Sequence, residues 1–398
     1  MKKYLTSIGM PCLLVLLMLF SAYPYLFCFF LGFPSENVMI ISFIVIFAIY
    51  CLHAKNGTPG GIPHIGNIMM SQCFVWLFYS LIHQDSSYIV RIILLAETYL
   101  ALLLLFKKNV VFRFASIFNW SLAIQGVLGV IAFFLLFEGL ISPIAEYYFN
   151  DTRYEFCYLL TCSNTVQGNF MRVGGYFDEP GALAYWGVFA LVINKITYNN
   201  KFVEFSLLFA LLFTFSAAYF IILPIYVILF YYKNIKMFFL VLLIAIPILY
   251  ATWNLFSSSY DVALYTTERF QGGTIQTTRF QQQEIAKQLF FQSPIIGNGA
   301  REIVDNHRNA EENPFEILAK DGIIGFFFTY IPIIFIFFRY RHDKHSLFGA
   351  LLLSIDYLQR PFHVNQMQYF MLYFFFTLVI LRNQNINTYE IKMQKSNE

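Results

Sequence analysis

The amino-acid sequence predicts an all-α integral membrane protein with about twelve transmembrane helices and two long loops on the outer face. Three observations support this fold class: an apolar composition, repeated apolar runs, and an uneven distribution of Lys and Arg. Of the 398 residues, 58% are hydrophobic and 12% are charged, whereas roughly 25% of the residues of an average soluble domain are charged. Such a composition is typical of a chain that lies mostly in lipid.

Apolar runs separated by polar or helix-breaking residues give the positions of the predicted helices. A helix of about 20 apolar residues crosses about 30 Å of hydrocarbon and satisfies its own backbone hydrogen bonds. The predicted spans are 6–31, 37–53, 65–83, 88–106, 115–137, 180–195, 203–217, 219–232, 237–254, 322–338, 346–358 and 367–382. The first run is interpreted as a span because it continues past the length of a signal-peptide core and offers no clear cleavage site. The division at Ala217–Ala218 requires a very tight reversal, and a single longer helix there would change the topology.

The distribution of basic residues predicts the orientation, because short cytoplasmic loops collect Lys and Arg. With the N-terminus inside, the inner side receives Lys2, Lys3, Lys55, Lys107, Lys108, Arg113, Lys195, Lys201, Lys233, Lys236, Arg339, Arg341, Lys344, Arg382, Lys392 and Lys395. The short outer connections receive only Arg91 and Arg360. The sequence therefore predicts two cytoplasmic termini and five regions: N-terminal helices at 1–138, an outer loop at 139–179, central helices at 180–254, a second outer loop at 255–321, and C-terminal helices with a cytoplasmic tail at 322–398.

Several functional classes lack their sequence signals. A net charge of +3 is too small to indicate a nucleic-acid partner. The sequence has no Walker lysine motif, no G-x-G-x-x-G opening a helix, no His or Cys pattern with zinc spacing and no D-x-D. We therefore expect neither a metal nor a cofactor. Glu97 and Asp356 lie in predicted spans, where ionisable groups are often functional but also pair with neighbouring helices.

The first outer loop ends in the segment MRVGGYFDEPGALAYW, from Met171 to Trp186, which runs directly into a predicted span. A glycine pair allows the backbone to bend closely, and Pro180 suits the first turn of a helix. Asp178 or Glu179 is placed to cap that helix. Taken alone, this pattern fits a helix start at the membrane surface as well as it fits a functional segment.

This segment resembles the R-x-G-G-x-F-x-E-P-x-x-x-A motif of the O-antigen and exopolysaccharide polymerases, a family related to the O-antigen ligases. The matching residues are Arg172, Gly174, Gly175, Phe177, Glu179, Pro180 and Ala184.

The second outer loop carries two further stretches that are similar to this family. In TTRFQQQEIAKQLFFQSPIIGNGAREI, the family's Arg and its Pro-x-x-G-x-G turn correspond to Arg279, Pro294, Gly297 and Gly299. In NHRNAEENPFEILAKDGIIGFF, the family's H-N-x-x-L-x-x-L-x-x-x-G-I-I-G corresponds to Leu318, Gly322, Ile323, Ile324 and Gly325. The resemblance covers the chain from about Arg172 to Phe326.

The chain departs from the family pattern at two places. The adjacent His–Asn pair is divided here, with His307 six residues upstream of Asn313, which follows Glu312. In TFSAAYF, Thr214 and Ser216 match a family T-x-S stretch, but the basic residue that often follows the Ser is missing.

The resemblance implies a multi-pass protein of the bacterial inner membrane whose two long loops are periplasmic. The outer face has no nucleotide pool, so an activated sugar must arrive on a lipid, as a polyprenyl diphosphate does. Arginine stabilises the leaving diphosphate with a planar fork of donors that stays charged. The candidates for this role are Arg172 and Arg279, followed by Arg269, with Gly174 and Gly175 as the closely approaching backbone. An Arg in a loop more often contacts only solvent or lipid headgroups.

The acceptor hydroxyl needs a base that works near neutral pH. The candidates are His307, Glu312 and Glu179. The expected partners are the lipid-linked oligosaccharide donor and acceptor, membrane lipids, a flippase and a chain-length regulator.

Two other functions compete with polymerisation. An O-antigen ligase would use the same donor and a lipid A core acceptor. A flippase or other transporter of the lipid-linked unit would place its charged and helix-breaking residues near the bilayer midplane, whereas here they concentrate in the two outer loops.

Two cysteines share the first outer loop, Cys157 and Cys162. In an oxidising compartment they can form a disulfide, provided that the backbone bends to bring the Cα atoms within about 7 Å.

Overall fold

The computed structural model is predominantly helical, and many of its helices are apolar. It describes residues 2–21, 41–42, 44–49, 64–107, 109–149, 153–167, 169–177, 179–232, 274–307, 310, 313–359 and 366–384. The predicted span at 237–254, part of the first two predicted spans, and the candidates Arg269 and Glu312 lie outside these residues.

The described part of the N-terminal region contains the long helices α1 (Lys2–Ser21), α2 (Ile65–His83), α3 (Ser87–Lys107) and α4 (Val111–Phe137). Of the helices described, Ile65–His83, Ser87–Phe106 and Val111–Phe137 are long and apolar enough to cross a membrane. The bounds of α2 are those predicted from its apolar run. One face of α4 exposes apolar side chains at helical spacing, namely Ile124, Val127, Ile131 and Phe134, as a lipid-facing helix does.

The segment predicted as the first outer loop (139–179), a label kept below only to name that segment, contains short strands that the sequence did not predict. They are β1 (Ala145–Phe149), β2 (Arg153–Cys157), β3 (Cys162–Ser163), β4 (Val166–Gln167) and β5 (Phe170–Met171). The first three form an antiparallel sheet in the order β1-β2-β3, and β4 pairs with β5. The all-α prediction was wrong for this loop because strands of two to five residues are too short to show a period-2 pattern.

The central region begins with α5 (Pro180–Ile196), which is buried along almost its whole length. It is followed by α6 (Lys201–Ala210), a 3-10 turn at Leu211–Thr214 and α7 (Ala217–Tyr231). Phe215 has a φ of 45°, and there the chain reverses between the 3-10 turn and α7. The Tyr219 hydroxyl donates to the Leu208 carbonyl, and the Tyr226 hydroxyl donates to Glu204. These contacts show that α6 and α7 are antiparallel. A tight reversal is present, but it lies at Phe215–Ser216 and not at the predicted Ala217–Ala218, since both alanines belong to α7.

The C-terminal region is built from α8 (Thr274–Gln292), α9 (Ala300–Asn306), α10 (Glu316–Thr329), α11 (Ile331–Arg339), α12 (Lys344–Gln359) and α13 (Gln366–Gln384). The predicted span at 322–338 is divided, since α10 and α11 meet at an angle of 40°. Pro332 lies in the first turn of α11, where a missing N–H costs no hydrogen bond. Every residue of α13 from Gln366 to Leu381 is buried. This helix packs against α1, α3, α5 and α11 and forms the centre of the bundle.

Candidate functional site

Arg172 joins the first outer loop to the reversal between α6 and α7. It follows β5 directly and is 6% exposed. Its Nε donates to the Thr214 carbonyl at 2.8 Å, and its Nη2 donates to the Phe215 carbonyl at 3.4 Å. The Thr214 hydroxyl donates within its own turn, to the Leu211 carbonyl at 2.7 Å. The T-x-S stretch of the sequence therefore supplies the backbone acceptors that hold the Arg172 guanidinium.

The glycine pair after Arg172 allows the chain to pair closely with the preceding hairpin. The Cys162 N–H donates to the Gly175 carbonyl at 2.7 Å, and the Gly174 N–H donates to the Cys162 carbonyl at 3.1 Å. A Cβ at Gly174 would lie 2.5 Å from the Cys162 carbonyl oxygen. Only glycine fits there without a shift of the backbone. Both glycines are buried, so their first role in this structure is to seat the loop on the bundle.

Glu179 occupies the position before α5, as the sequence predicted. Its backbone is extended, with φ −144° and ψ 151°, and its side chain makes no capping hydrogen bond to that helix. Pro180 opens the helix. The predicted helix start is present, and the Glu179 carboxylate is not needed to cap it.

The two similar stretches of the second outer loop interlock through their backbones. The Asn298 N–H donates to the Ala319 carbonyl at 3.0 Å, and the Gly299 N–H donates to the Lys320 carbonyl at 2.9 Å. In the other direction, the N–H groups of Ile323 and Ile324 donate to the carbonyls of Pro294 and Ile295, at 2.9 and 3.2 Å. The Pro-x-x-G-x-G turn and the G-I-I-G segment thus form one structural unit, which we call the glycine interlock (residues 294–299 and 318–325).

Two glycines make the glycine interlock possible. Gly297 has a φ of 71° and Gly322 a φ of 64°, a region that other residues rarely adopt. A Cβ at Gly297 would lie 2.3 Å from the Lys320 carbonyl oxygen, and a Cβ at Gly322 would lie 2.4 Å from that of Ile295. Both positions require glycine for conformation and for space.

A buried ion pair anchors the glycine interlock to the N-terminal helices. Arg91 on α3 and Asp321, which precedes Gly322, have side chains 5% and 3% exposed. The Arg91 Nη1 donates to Asp321 Oδ2 at 2.6 Å and its Nη2 donates to Oδ1 at 3.2 Å. The guanidinium carbon lies 4.7 Å and 4.6 Å from the ring centres of Trp76 and Tyr88. This is the forked, aromatic-stacked geometry that arginine favours.

Neighbouring polar groups complete this anchor. The Tyr88 hydroxyl donates to Asp321 Oδ1 at 2.8 Å and accepts from the Ala300 N–H at 3.2 Å. Asp85, in the turn between α2 and α3, accepts from the Arg301 N–H at 2.8 Å. His83 lies 3.2 Å from the Ile296 carbonyl oxygen. The adjoining ends of α2 and α3 therefore contact both segments of the glycine interlock.

Sequence analysis missed this anchor. It assigned Arg91 to a short outer connection and gave Asp321 no role, although Asp321 lies inside the quoted G-I-I-G segment. The two residues are 230 positions apart, so no local pattern connects them. The available signals were an isolated charge inside an apolar run at Arg91 and a carboxylate directly before a required glycine.

The divided His–Asn pair is bridged by the backbone of Ala310. His307 ends α9, is half-buried, and its carbonyl accepts from the Ala310 N–H at 2.7 Å. Asn313 is 4% exposed, and its Nδ2 donates to the Ala310 carbonyl at 2.6 Å. His307 and Asn313, which are separated in the sequence, thus both bind the backbone of Ala310.

The remaining candidates are only partly placed. Arg279 lies on α8, but its side chain is outside what the structure describes, as are all of Arg269 and Glu312. The convergence of Arg172 and Arg279 on one diphosphate therefore stays a prediction. Within the described part of the chain, no group of three or more His, Cys, Asp or Glu side chains could hold a metal ion.

Cys157 and Cys162 lie directly opposite each other on β2 and β3. Both thiols are free and buried. Contact with Cys157 and burial raise the pKa of the Cys162 thiol, which slows its reaction as a thiolate. The backbone bend that a disulfide requires is present. If the peptide that contains Cys157 and Cys162 has the same mass with and without reductant, apart from the alkylation tags, the disulfide is excluded.

The two acidic residues of the predicted spans are both buried. Glu97 is 0% exposed, and its Oε1 accepts from the Ser42 hydroxyl at 3.2 Å. Asp356 on α12 is 2% exposed.

No protein-family model matches the chain, and no curated protein and no solved structure matches it significantly.

Proposed function

We propose that this protein polymerises lipid-linked glycan units at the outer face of a bacterial inner membrane. It transfers the growing glycan from polyprenyl diphosphate onto the next lipid-linked repeat unit, without a metal ion. The observation that carries the proposal is the glycine interlock. The glycines of two motif segments resembling the polymerase family fall where a Cβ would lie 2.3 and 2.4 Å from the opposing backbone. This stereochemical requirement gives the glycines of both segments one shared structural role, which supports treating the two segments as one functional unit.

The arrangement of charge supports the proposed orientation. Basic residues that the sequence assigned to the inner side gather at one end of the bundle. Lys195 and Lys201 bind Glu204 at 2.6 and 3.1 Å, and Arg382 donates to the Ile196 carbonyl at 3.1 Å. Lys344 lies near the end of α7, 3.4 Å from the Tyr232 hydroxyl. We call this the basic end and propose that it faces the cytoplasm.

The motif segments lie towards the opposite end. Arg172 binds the reversal that closes the α6–α7 hairpin, whereas Lys201 and Tyr231 mark the open end of that hairpin. Since α3 and α4 are joined near Arg113 at the basic end, the start of α3, with Arg91, lies towards the other end. Both outer loops are therefore proposed to face the periplasm, with both termini in the cytoplasm and about twelve spans in all.

The proposed reaction assigns each group a task. The acceptor hydroxyl attacks the anomeric carbon of the donor, the bond between that carbon and the diphosphate oxygen breaks, and the diphosphate leaves with the electron pair. A base takes the hydroxyl proton, with His307, Glu312 and Glu179 as candidates. Arg172 and Arg279, followed by Arg269, stabilise the charge on the leaving group. Two backbone bonds, from Nε and Nη2, orient the Arg172 guanidinium in its site.

A deletion strain tests the proposal through its surface polysaccharide. Loss of the ladder on a gel, with one repeat unit retained at the surface, is the result expected for a polymerase. Complete polymer left on the carrier lipid would instead identify a ligase that uses a lipid A core acceptor. Units stranded on the inner leaflet would identify a flippase, and either result would overturn the proposal.

A further inference from the structure

A polar cavity lies at the basic end, between the start of α4 and the turn from α5 to α6. Its volume is about 490 Å³. The lining residues are Arg113, Ser116, Asn119, Trp120, Asn194, Tyr198, Asn200 and Val203. Arg113 is exposed at this cavity, and none of these lining residues is acidic. The described wall therefore carries the Arg113 guanidinium, whose several N–H donors can serve more than one partner, and further hydrogen-bonding groups, which together suit an anionic ligand.

The floor of the cavity is rigid before any ligand arrives. Asn194 is 1% exposed, its Nδ2 donates to the Asn200 carbonyl at 2.9 Å, and its Oδ1 accepts from the Asn200 N–H at 3.0 Å. The Asn200 side chain in turn accepts from the N–H groups of Phe202 and Val203 at 2.9 and 3.3 Å. Hydrogen bonds therefore fix the α5–α6 turn, and a ligand would lose little entropy in ordering it.

The rim of the cavity is aromatic and continues into an apolar surface. Trp120 and Phe202 stack with ring centres 5.7 Å apart and, like Tyr198, are exposed. Aromatic side chains of this kind concentrate at the membrane–water interface. From this rim, exposed apolar side chains run along α4 and along the α6 helix that packs against it, at Ile124, Val127, Ile131, Phe134, Phe205 and Phe209.

The length of this apolar surface matches an acyl chain. From Trp120 to Phe134 the stripe on α4 covers about 21 Å, more than the ~15 Å of one leaflet of hydrocarbon. A ligand with a charged head and an apolar tail can therefore use the cavity and the stripe together. A soluble anion would use only the cavity.

We propose that this cavity and the adjoining stripe bind an anionic phospholipid, with the headgroup phosphate against Arg113 and an acyl chain along α4 and α6. The site lies at the other end of the bundle from the glycine interlock. It rests on the cavity, its charge and the exposed stripe, and does not depend on the proposed glycosyl transfer.

Native mass spectrometry of the full chain in detergent, with phosphatidylglycerol or phosphatidylcholine added, tests this site. We expect the wild type to retain phosphatidylglycerol preferentially. Loss of one charge-assisted hydrogen bond in Arg113→Gln lowers that affinity about tenfold. Ser116→Phe fills the cavity without changing the charge and should also abolish the preference. Arg341→Gln removes an exposed charge outside the cavity and serves as the matched control, with the preference intact.

Three results would overturn the proposal. The first is equal retention of the two lipids by the wild type. The second is an equal effect of Arg113→Gln and Arg341→Gln, which would mean that only net charge matters. The third is full displacement of phosphatidylglycerol by millimolar glycerol phosphate, which would identify a site for a soluble phosphate.

Discussion

An arginine anchors each of the two outer loops to the helices, but it lies on the loop in one case and on a helix in the other. In the first loop, the arginine lies on the loop, and Arg172 donates to backbone carbonyls of the α6–α7 reversal. In the second, the arginine lies on a helix, and Arg91 pairs with the loop carboxylate Asp321. Loss of Arg172 removes donors from two backbone carbonyls, whereas loss of either partner of the second pair leaves a buried charge. The second loop should therefore depend strongly on its anchor for stability.

Breaking the Arg91–Asp321 pair should have the largest effect. Asp321→Asn leaves the Arg91 guanidinium buried without a counter-charge, which costs about 3–5 kcal/mol of stability. Purified protein should unfold at clearly lower temperature or denaturant concentration, and its level in the membrane should fall. The double variant Arg91→Met with Asp321→Leu removes both charges and should recover part of the loss.

Arg301→Met is the control for this prediction. Arg301 pairs with Asp305 at 3.3 Å on the exposed face of α9, and such surface pairs contribute about 0–1 kcal/mol. If Asp321→Asn proved as mild as Arg301→Met, the second loop would not depend on its buried anchor.

Comparing Gly297→Ala with Gly139→Ala distinguishes the requirement for a positive φ from the requirement for space in the glycine interlock. Both glycines have positive φ, 71° and 69°, but a Cβ at Gly139 meets nothing within 4 Å, whereas one at Gly297 meets the Lys320 carbonyl oxygen at 2.3 Å. Gly139→Ala should therefore cost only backbone strain, about 1–2 kcal/mol. Gly297→Ala should cost clearly more in the same unfolding measurement. Equal costs would mean that the opposing backbone moves aside freely.

Arg172→Lys and Arg279→Lys test the first loop and the proposed diphosphate site. Lysine keeps the charge but loses the planar fork. We expect each variant to impair polymerisation nearly as strongly as alanine, by roughly 10- to 100-fold if each bond contributes about 1.5–3 kcal/mol in the transition state. Ladder formation should collapse while protein levels stay normal. A full-length ladder from both Lys variants at wild-type levels would leave the two-arginine site without support.

Cysteine labelling tests whether the first outer loop and the basic end lie on opposite sides of the membrane. Leu140 is 70% exposed after α4, at the end where the first outer loop begins, and His342 is exposed between α11 and α12 at the basic end. In a background without native cysteines, an impermeant thiol reagent should label Leu140→Cys in intact spheroplasts. It should label His342→Cys only after permeabilisation. The reverse pattern would invert the proposed orientation.

Sequence patterns predicted the helices well where polar residues bounded an apolar run. The helix at Ile65–His83 ends at a His, Gln and Asp cluster, and α5 begins at Pro180. The break at Tyr330 was missed because apolar residues continue through it, although Pro332 was an available signal for a helix boundary. The glycines of the site could be identified from their spacing, but their opposing partners are set by tertiary contact between segments about twenty residues apart.

The Arg91–Asp321 pair was missed in the sequence analysis because of the nature of an ion pair. An isolated charge in an apolar run indicates that a partner exists but does not say where it lies. Asp321 is the partner of Arg91 only because α10 packs against α2, and that contact follows from the folded bundle.

The buried ion pair also affects the order in which the protein is made. The ribosome synthesises Arg91 230 residues before Asp321, so α3 enters the membrane before its counter-charge exists. An unpaired arginine at membrane depth is unfavourable and is drawn towards the interface. The N-terminal helices therefore reach their final packing only after the G-I-I-G segment has been translated, and a nascent chain stopped before Asp321 should remain a substrate for membrane quality control.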